Sequence, residues 1–269
     1  MGIRVQEKGL GHMALDFTLD KYRELCSALL VNHYVTLTFS EYLENGNKLS
    51  NNFVIIRHDI DRKPLNALRM AKLENKLGIR STYYFRYPYT FYPNLIKEIA
   101  DLGHEVGYHY EVLSKSKGDF KRAIELFEDE LNKFRAISDI KTICMHGSPM
   151  SKYDNRDIWK HYNLMDFGLE GEAYLSIAKD VNYFSDTGRS WNCSNKIRDF
   201  IPDKNEDITM NYTEDLIRLA RIGNINKLYI LVHPERWSSN NADWICVYLK
   251  DYAFNFGKKL LRTFRDGRD

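Results

Sequence analysis

The chain has 269 residues, with 39 Lys and Arg against 37 Asp and Glu and a formal net charge of +2. At 43% hydrophobic and 13% aromatic it has the composition of a folded globular chain long enough for a sizeable core. That composition excludes a disordered chain, and the balanced charge gives no general attraction to nucleic acid or to an anionic membrane. The unusual count is 18 Tyr beside 14 Phe and 4 Trp. Such amphipathic rings suit carbohydrate-like ligands, but they suit cores equally well.

The opening MGIRVQEKGLGHMALDF contains no unbroken apolar stretch, so no secretory leader and a cytoplasmic location are expected. No window reaches the length of a membrane span. Cys26, Cys144, Cys193 and Cys246 are widely separated. They predict buried free thiols, with no disulfide framework and no cysteine zinc site.

No repeat or linker divides the chain, so residues 1–269 read as a single domain. Thr18 caps a helix over LDKYRELCSALL, and YVTLTF (34–39) reads as a strand. FVIIRHDID (53–61) begins as a buried apolar strand and ends in charge. A helix over 65–78 places Leu65, Leu68, Leu73 and Leu77 at near-helical spacing and stops at Gly78. STYYFR (81–86), EVGYHY (105–110), IKTICMHG (140–147) and KLYILVHPERW (227–237) read as further strands. Helices are expected over 93–103, over 119–137 with Asp119 as cap, over 213–223 and within 242–264. The 119–137 helix buries Phe120, Ala123, Phe127, Leu131 and Phe134.

This alternation predicts an α/β fold with a mostly parallel sheet. At this length an irregular (β/α) TIM-like barrel is favoured, with chemistry at the C-terminal strand ends. Those ends carry Arg57-His58-Asp59-Ile60-Asp61, Tyr108-His109-Tyr110-Glu111, His146-Gly147-Ser148-Pro149 and His233-Pro234-Glu235-Arg236. Four of the eight histidines therefore fall at one rim. Imidazole and carboxylate groups there suit a divalent metal, a general base and a general acid. Each residue also has a plain structural role open to it. Asp59 or Asp61 alone could cap the following helix, His58 could face the helices, and His104 could pack at a helix stop.

These stretches resemble a divergent polysaccharide deacetylase of the chitooligosaccharide deacetylase (nodulation protein B) homology fold, carbohydrate esterase family 4. The resemblance covers about residues 50–240. RHDID stands where the family has Thr-Phe-Asp-Asp-Gly, which implies Asp59 as base and Asp61 as metal ligand, with Ile60 inserted between them. GHEVGYH resembles the family's Gly-His-Glu-Ile-Gly-x-His and implies His109 as a ligand. The family's second ligand histidine falls on Leu113. Glu111 and His146 are the candidates to replace it, His146 preferred because it ends a neighbouring strand.

HGSP (146–149) stands at the family's third motif, a groove wall. DTGRSW stands at the fourth and brings in Asp186, Arg189 and Trp191 as substrate-side residues. LVHPERW resembles the fifth, with His233 as general acid and Leu231 lining the acyl pocket. The implied cofactor is a divalent metal, zinc in the first instance. The implied reaction is hydrolysis of an N-acyl or O-acyl group, with the metal and a backbone N–H holding the oxyanion. Arg57 and Arg189 are expected to support Asp59 and His233 or to bind an anionic substrate group. Glu111 is expected near substrate, and Tyr108, Tyr110, Trp191 and Trp237 are expected as stacking faces. The expected partner is a small-molecule or carbohydrate substrate, a nucleotide- or lipid-linked sugar fitting a cytoplasmic setting. A nucleic-acid role is not expected. A metal-independent small-amide hydrolase of the same fold and an inactive glycan-binding or scaffold barrel stand as alternatives.

Overall fold

The computed structural model describes residues 15–148, 151–191 and 210–252. Cys193, Pro149 and the expected last helix beyond residue 252 lie outside the described residues. Its elements follow in chain order α1 (Leu19–Val31), β1 (Val35–Leu37), α2 (Phe39–Asn45), β2 (Phe53–Ile60), α3 (Pro64–Lys76), β3 (Thr82–Phe85), α4 (Pro93–Asp101) and β4 (Glu105–Tyr110). Then come α5 (Val112–Lys115), α6 (Phe120–Arg135), β5 (Thr142–Met145), β6 (Gly171–Glu172), β7 (Asn182–Ser185), α7 (Thr213–Ile222) and β8 (Lys227–Val232). Residues 241–252 are helical.

The caps explain where two of the helices begin. Thr18 Oγ1 accepts the Lys21 N–H at 3.1 Å, and an Asp119 carboxylate oxygen accepts the Arg122 N–H at 3.0 Å. On α6 the buried stripe is Ala123, Phe127, Leu131 and Phe134, with Phe120 only partly covered. On α3 the stripe departs from the leucine pattern. Ala67, Met70, Ala71 and Glu74 are buried, whereas Leu65 is 62% exposed. Small residues let α3 lie close to the sheet, so the leucines rotate to the flanks.

The strands form one parallel sheet in the order β6-β5-β4-β3-β2-β8-β7. Short β1 pairs with the start of β2 (Val35 opposite Phe53), on the edge that β3 takes over from Arg57 onward. The sheet is a curled half-barrel flanked by helices, and β6 and β7 are its two ends. The expected α/β architecture is therefore present. Alternation along β2 and β8 separates two faces. Val54, Ile56, Leu228 and Ile230 pack with Leu25, Leu29, Leu216 and Ile217 of α1 and α7. Phe53, Ile55, Tyr229 and Leu231 point the other way.

That second face is closed by Arg57. Its guanidinium lies 4.2 Å from the Tyr174 ring centre and 5.3 Å from that of Tyr229, and Nη1 donates to the Tyr229 hydroxyl at 3.0 Å. Tyr229 in turn donates to the Ala173 carbonyl at 3.1 Å. The centre of the sheet is thereby tied to the segment that follows β6. Among the described residues, no helix is long and apolar enough to cross a membrane.

Candidate active site

Asp59 and Asp61 stand at the C-terminal end of β2. Neither caps α3, whose N-cap position is Lys63 and carries no side-chain cap. Asp59 shares the inward face with Arg57, two residues earlier on the strand. Arg57 Nε lies 3.1 Å from Asp59 Oδ1, and Nη2 donates to Oδ2 at 3.2 Å, with both side chains fully buried. Burial opposes the charge of Arg57, but the Asp59 carboxylate outweighs it and raises the guanidinium pKa further. Arg57 is thus a partner of Asp59, buried too deeply to take an anionic substrate group.

Asp61 meets both expected imidazoles. His109 Nε2 lies 3.5 Å and His146 Nε2 3.4 Å from Asp61 Oδ1. Parallel pairing of β4 with β5 brings the two histidines side by side, with ring centres 5.3 Å apart. Each ring is held by its other nitrogen. His109 Nδ1 donates to the Cys144 carbonyl at 3.0 Å, and His146 Nδ1 lies 2.9 Å from Glu111 Oε2. Such outer partners fix ring orientation and leave Nε2 toward the site. Asp61 Oδ1 is buried and has no hydrogen-bond partner. Two imidazole nitrogens within 3.5 Å of one carboxylate oxygen are the ligand types that a divalent cation of the zinc class takes.

The electrostatics follow from this crowding. Burial acts to raise the Asp61 carboxyl, but His146 and His109 hold it well below the usual carboxylate range. Burial acts to lower His146, but Asp61 and Glu111 push it up to about 9. Glu111 goes to about 2, because His146 and Arg86 outweigh its burial. Arg86 Nη2 donates to both Glu111 oxygens at 2.8 Å. Glu111 therefore props His146 and is not directed at substrate. The family's second histidine position, Leu113, is buried in the hydrophobic core and offers nothing to the site.

His233 follows β8. Val232 pairs with His58, so His233 stands beside Asp59 one step beyond the paired positions. Its Nδ1 lies 2.6 Å from Asp186 Oδ1, and its backbone N–H donates to Oδ2 at 2.9 Å. Trp237 Nε1 donates to the same Oδ2 at 2.9 Å. Asp186 is therefore saturated by His233 and its neighbours, and it orients the imidazole instead of contacting substrate. Burial and Arg236 act to lower the His233 pKa, but Asp186 and Glu235 prevail and raise it. The raised value favours a protonated Nε2.

Several expected substrate contacts lie elsewhere. Tyr108 is fully buried against Phe127 and Phe134 of α6, and its hydroxyl donates to Glu130 at 2.5 Å. Tyr110 likewise faces α6 and accepts a hydrogen bond from Trp159 Nε1 at 2.8 Å. Strand alternation that turns His109 inward turns both tyrosines outward. Trp191 is buried against Phe17 and Trp237 and donates to Thr213, and Trp237 is fully buried beside it. Neither indole is a platform. Arg189 donates to the Arg236 carbonyl at 3.2 Å and lies over Trp244 at 4.8 Å. Leu231 is fully buried in the core beside Arg57, too deep to line an open pocket.

His58 faces the helices and meets Glu74 at 2.7 Å, and His104 packs between the Ser81 N–H and the Ala71 carbonyl. Cys26 and Cys144 are buried as expected, whereas Cys246 is exposed. Two buried residues named in the sequence reading were given no part in the site there. Cys144 forms a second ligand-like group with Asp59 and His109, their ligand atoms lying within 4.8 Å of one another. Both Asp59 oxygens of that group are engaged by Arg57. Glu235 is buried with both carboxylate oxygens unbonded, and its pKa is raised by burial and then by Asp61. Its place two residues past His233, in a strand-end turn, was the available signal.

No family model matches the chain, and no curated protein does. Solved structures do show a likeness. A CE4 family pseudoenzyme from Bacillus anthracis is 13% identical at a TM-score of 0.41, the match covering 74% of this chain and 60% of that one. The chain thus spans less than two thirds of that structure's length. The peptidoglycan deacetylase PdaC from Bacillus subtilis is 13% identical at a TM-score of 0.43, covering 82% of this chain and 98% of that one. A Streptococcus mutans CE4 esterase is 11% identical at 0.44, covering 87% and 88%. At these identities and scores the functional reading rests on the chain's own residues.

Proposed function

We propose that this half-barrel is a metal-dependent hydrolase that removes an N-acyl group from a sugar or sugar-derived substrate. The observation that carries the proposal is the convergence of Asp61 Oδ1, with no hydrogen-bond partner, on the Nε2 atoms of His109 and His146 at 3.5 and 3.4 Å. Beside it stand a carboxylate paired with arginine and an imidazole paired with aspartate. The nucleotide- or lipid-linked form of the substrate is part of the same proposal.

Asp61, His109 and His146 would hold the cation. A bound divalent cation supplies Lewis acidity to an acyl carbonyl and lowers the pKa of water to near 7. The remaining roles fall to the protein. Asp59, fixed by Arg57, takes the proton of the attacking water. His233, fixed by Asp186 through Nδ1, gives the Nε2 proton to the departing nitrogen as the carbon–nitrogen bond breaks. The products are a carboxylic acid and an amine. Asp59 and His233 stand on adjacent strands, so base and acid can flank one acyl group.

The test is hydrolysis of N-acetylglucosamine oligomers and of a nucleotide-linked N-acetylamino sugar by the purified chain, before and after chelation and zinc return. Acetate release that is lost on chelation and restored by zinc is expected. Release that persists after complete metal removal would overturn the metal-dependent reading in favour of the metal-independent amidase.

A further inference from the structure

Cys144 has no role in the scheme above, yet it lies among the groups that carry it. On β5 it stands opposite His109 of β4, so the two side chains share the inner face. The curl of the sheet brings Cys144 across to Asp59 of β2, over the two strands between them. Cys144 Sγ lies 3.8 Å from Asp59 Oδ1 and 3.7 Å from Oδ2. His109 Nε2 lies 3.7 Å from the same Oδ2. The ligand atoms of Asp59, His109 and Cys144 all lie within 4.8 Å of one another.

These separations suit one cation. Ligands at about 2.0 to 2.3 Å from a tetrahedral cation stand about 3.3 to 3.8 Å from one another, and larger soft cations spread them further. His109 Nδ1 donates to the Cys144 carbonyl, so in the neutral ring Nε2 carries a lone pair. Arg57 pairs with both Asp59 oxygens, but each carboxylate oxygen has two lone pairs. The thiol gives its proton to solvent when it ligates, and the thiolate charge offsets part of the charge brought beside Arg57. The group is reached from solvent past Asp61, whose side chain is 19% exposed and lies 3.5 Å from His109 Nε2.

We propose that Asp59, His109 and Cys144 form a second cation position, one that takes thiophilic cations such as cadmium or copper(I). A thiolate is a soft ligand and selects soft cations, whereas the two imidazoles and the carboxylate of the Asp61 group suit zinc. The two positions share His109 Nε2, whose single lone pair serves one cation at a time. Filling one therefore excludes the other. A soft cation in the second position also engages Asp59, which makes it an inhibitor of the hydrolysis under Proposed function. Only that consequence rests on the hydrolase reading. The position itself stands on the distances above, whatever reaction the rim performs.

The experiment is titration of the full chain with cadmium chloride, followed by the ultraviolet sulfur-to-cadmium charge-transfer band. A Cys193→Ser, Cys246→Ser parent keeps Cys193 and the exposed Cys246 from reporting. The parent should show the band with one cadmium ion bound, Cys144→Ser should lose it, and Asp61→Asn should keep it. Zinc added first should shift the parent's titration to higher cadmium concentration. No band in the parent, or a band that survives Cys144→Ser, would overturn the thiolate position. Loss of the band in Asp61→Asn would overturn its separateness and return the cation to the Asp61 group. Zinc that binds without shifting the titration would overturn the shared histidine. Absence of metal-dependent hydrolysis with the cadmium band intact overturns the hydrolase reading alone and supports the second position.

Discussion

Asp59 and His233 each have a dedicated, buried partner of opposite charge. That pairing separates residues that act from residues that position. Asp59→Asn removes the proposed base and should cut kcat by about 10²- to 10⁴-fold with zinc affinity little changed. Because it leaves Arg57 buried without its anionic partner, it should also lower the melting temperature. Arg57→Met strips the partner from a buried carboxylate and should destabilise the fold by about 3 to 5 kcal/mol. Denaturant unfolding reads that loss. Asp186 acts through the His233 pKa. The native value lies above the ordinary 6.5, so the acid stays protonated to higher pH. Asp186→Asn should lower it and move the alkaline fall of kcat to lower pH. The same sign governs stability. The His233–Asp186 contribution is complete below pH 6.5 and is lost as pH rises through the raised native value. At this scale the sequence showed which titratable residues end strands. It could not show which were partners, because Asp186 meets His233 across 47 positions of chain. Glu111 and Asp186 therefore looked like substrate contacts, and Glu235 and Cys144 were given no part in the site.

Strand alternation decides the fate of most aromatic residues. In β4, His109 turns inward while Tyr108 and Tyr110 pack on α6. Tyr108→Phe should therefore leave KM unchanged and cost about 1 to 3 kcal/mol, since it deprives Glu130 of a hydrogen bond. A rise in KM without loss of stability would return Tyr108 to the substrate. Gly107 of the same strand is held by close packing. A Cβ there would come within 2.4 Å of the Tyr84 ring and 2.8 Å of the Thr142 carbonyl oxygen. Gly107→Ala should thus lower the melting temperature.

On the opposite face of β2, Glu74 of α3 accepts hydrogen bonds from Tyr22 and Tyr83 and meets His58. Burial pushes its carboxyl up, but His58 and His104 prevail and bring it to about 2 from the ordinary 4.5. A depressed value stabilises above pH 4.5, and the contribution is lost as pH falls toward 2. Acid unfolding of Glu74→Gln should be flatter than wild type across that window. The element boundaries were largely legible from periodicity and caps. The buried face of α3 was not, because Glu74 sits in the core only by virtue of distant Tyr22, His58 and Tyr83. Helix α5 and strands β6 and β7 are too short to carry a period.

The whole molecule is a curled parallel sheet whose chemistry gathers at one end of its central strands. The surplus of tyrosine belongs to the architecture. Tyr22, Tyr83, Tyr84, Tyr108, Tyr110 and Tyr229 are all fully buried. Several of them hydrate, in effect, buried charges such as Glu74, Glu130 and Arg57 that the core would otherwise leave exposed to an apolar medium. Composition alone could not distinguish that role from ligand binding. The charge-ended strands could be placed at one rim from the alternation of elements. The open half-barrel, and the register that sets His233 beside Asp59, depend on strand pairings the sequence does not display.

Asp61, His109 and His146 are proposed to hold a divalent cation beside Asp59 and His233. The most direct test is a crystal structure of the zinc-soaked chain with anomalous data collected on both sides of the zinc edge. One strong peak is expected within about 2 Å of Asp61 Oδ1 and of Nε2 of both histidines. A peak among Asp59, His109 and Cys144 with Asp61 left aside, or no peak at this rim at saturating zinc, would contradict it.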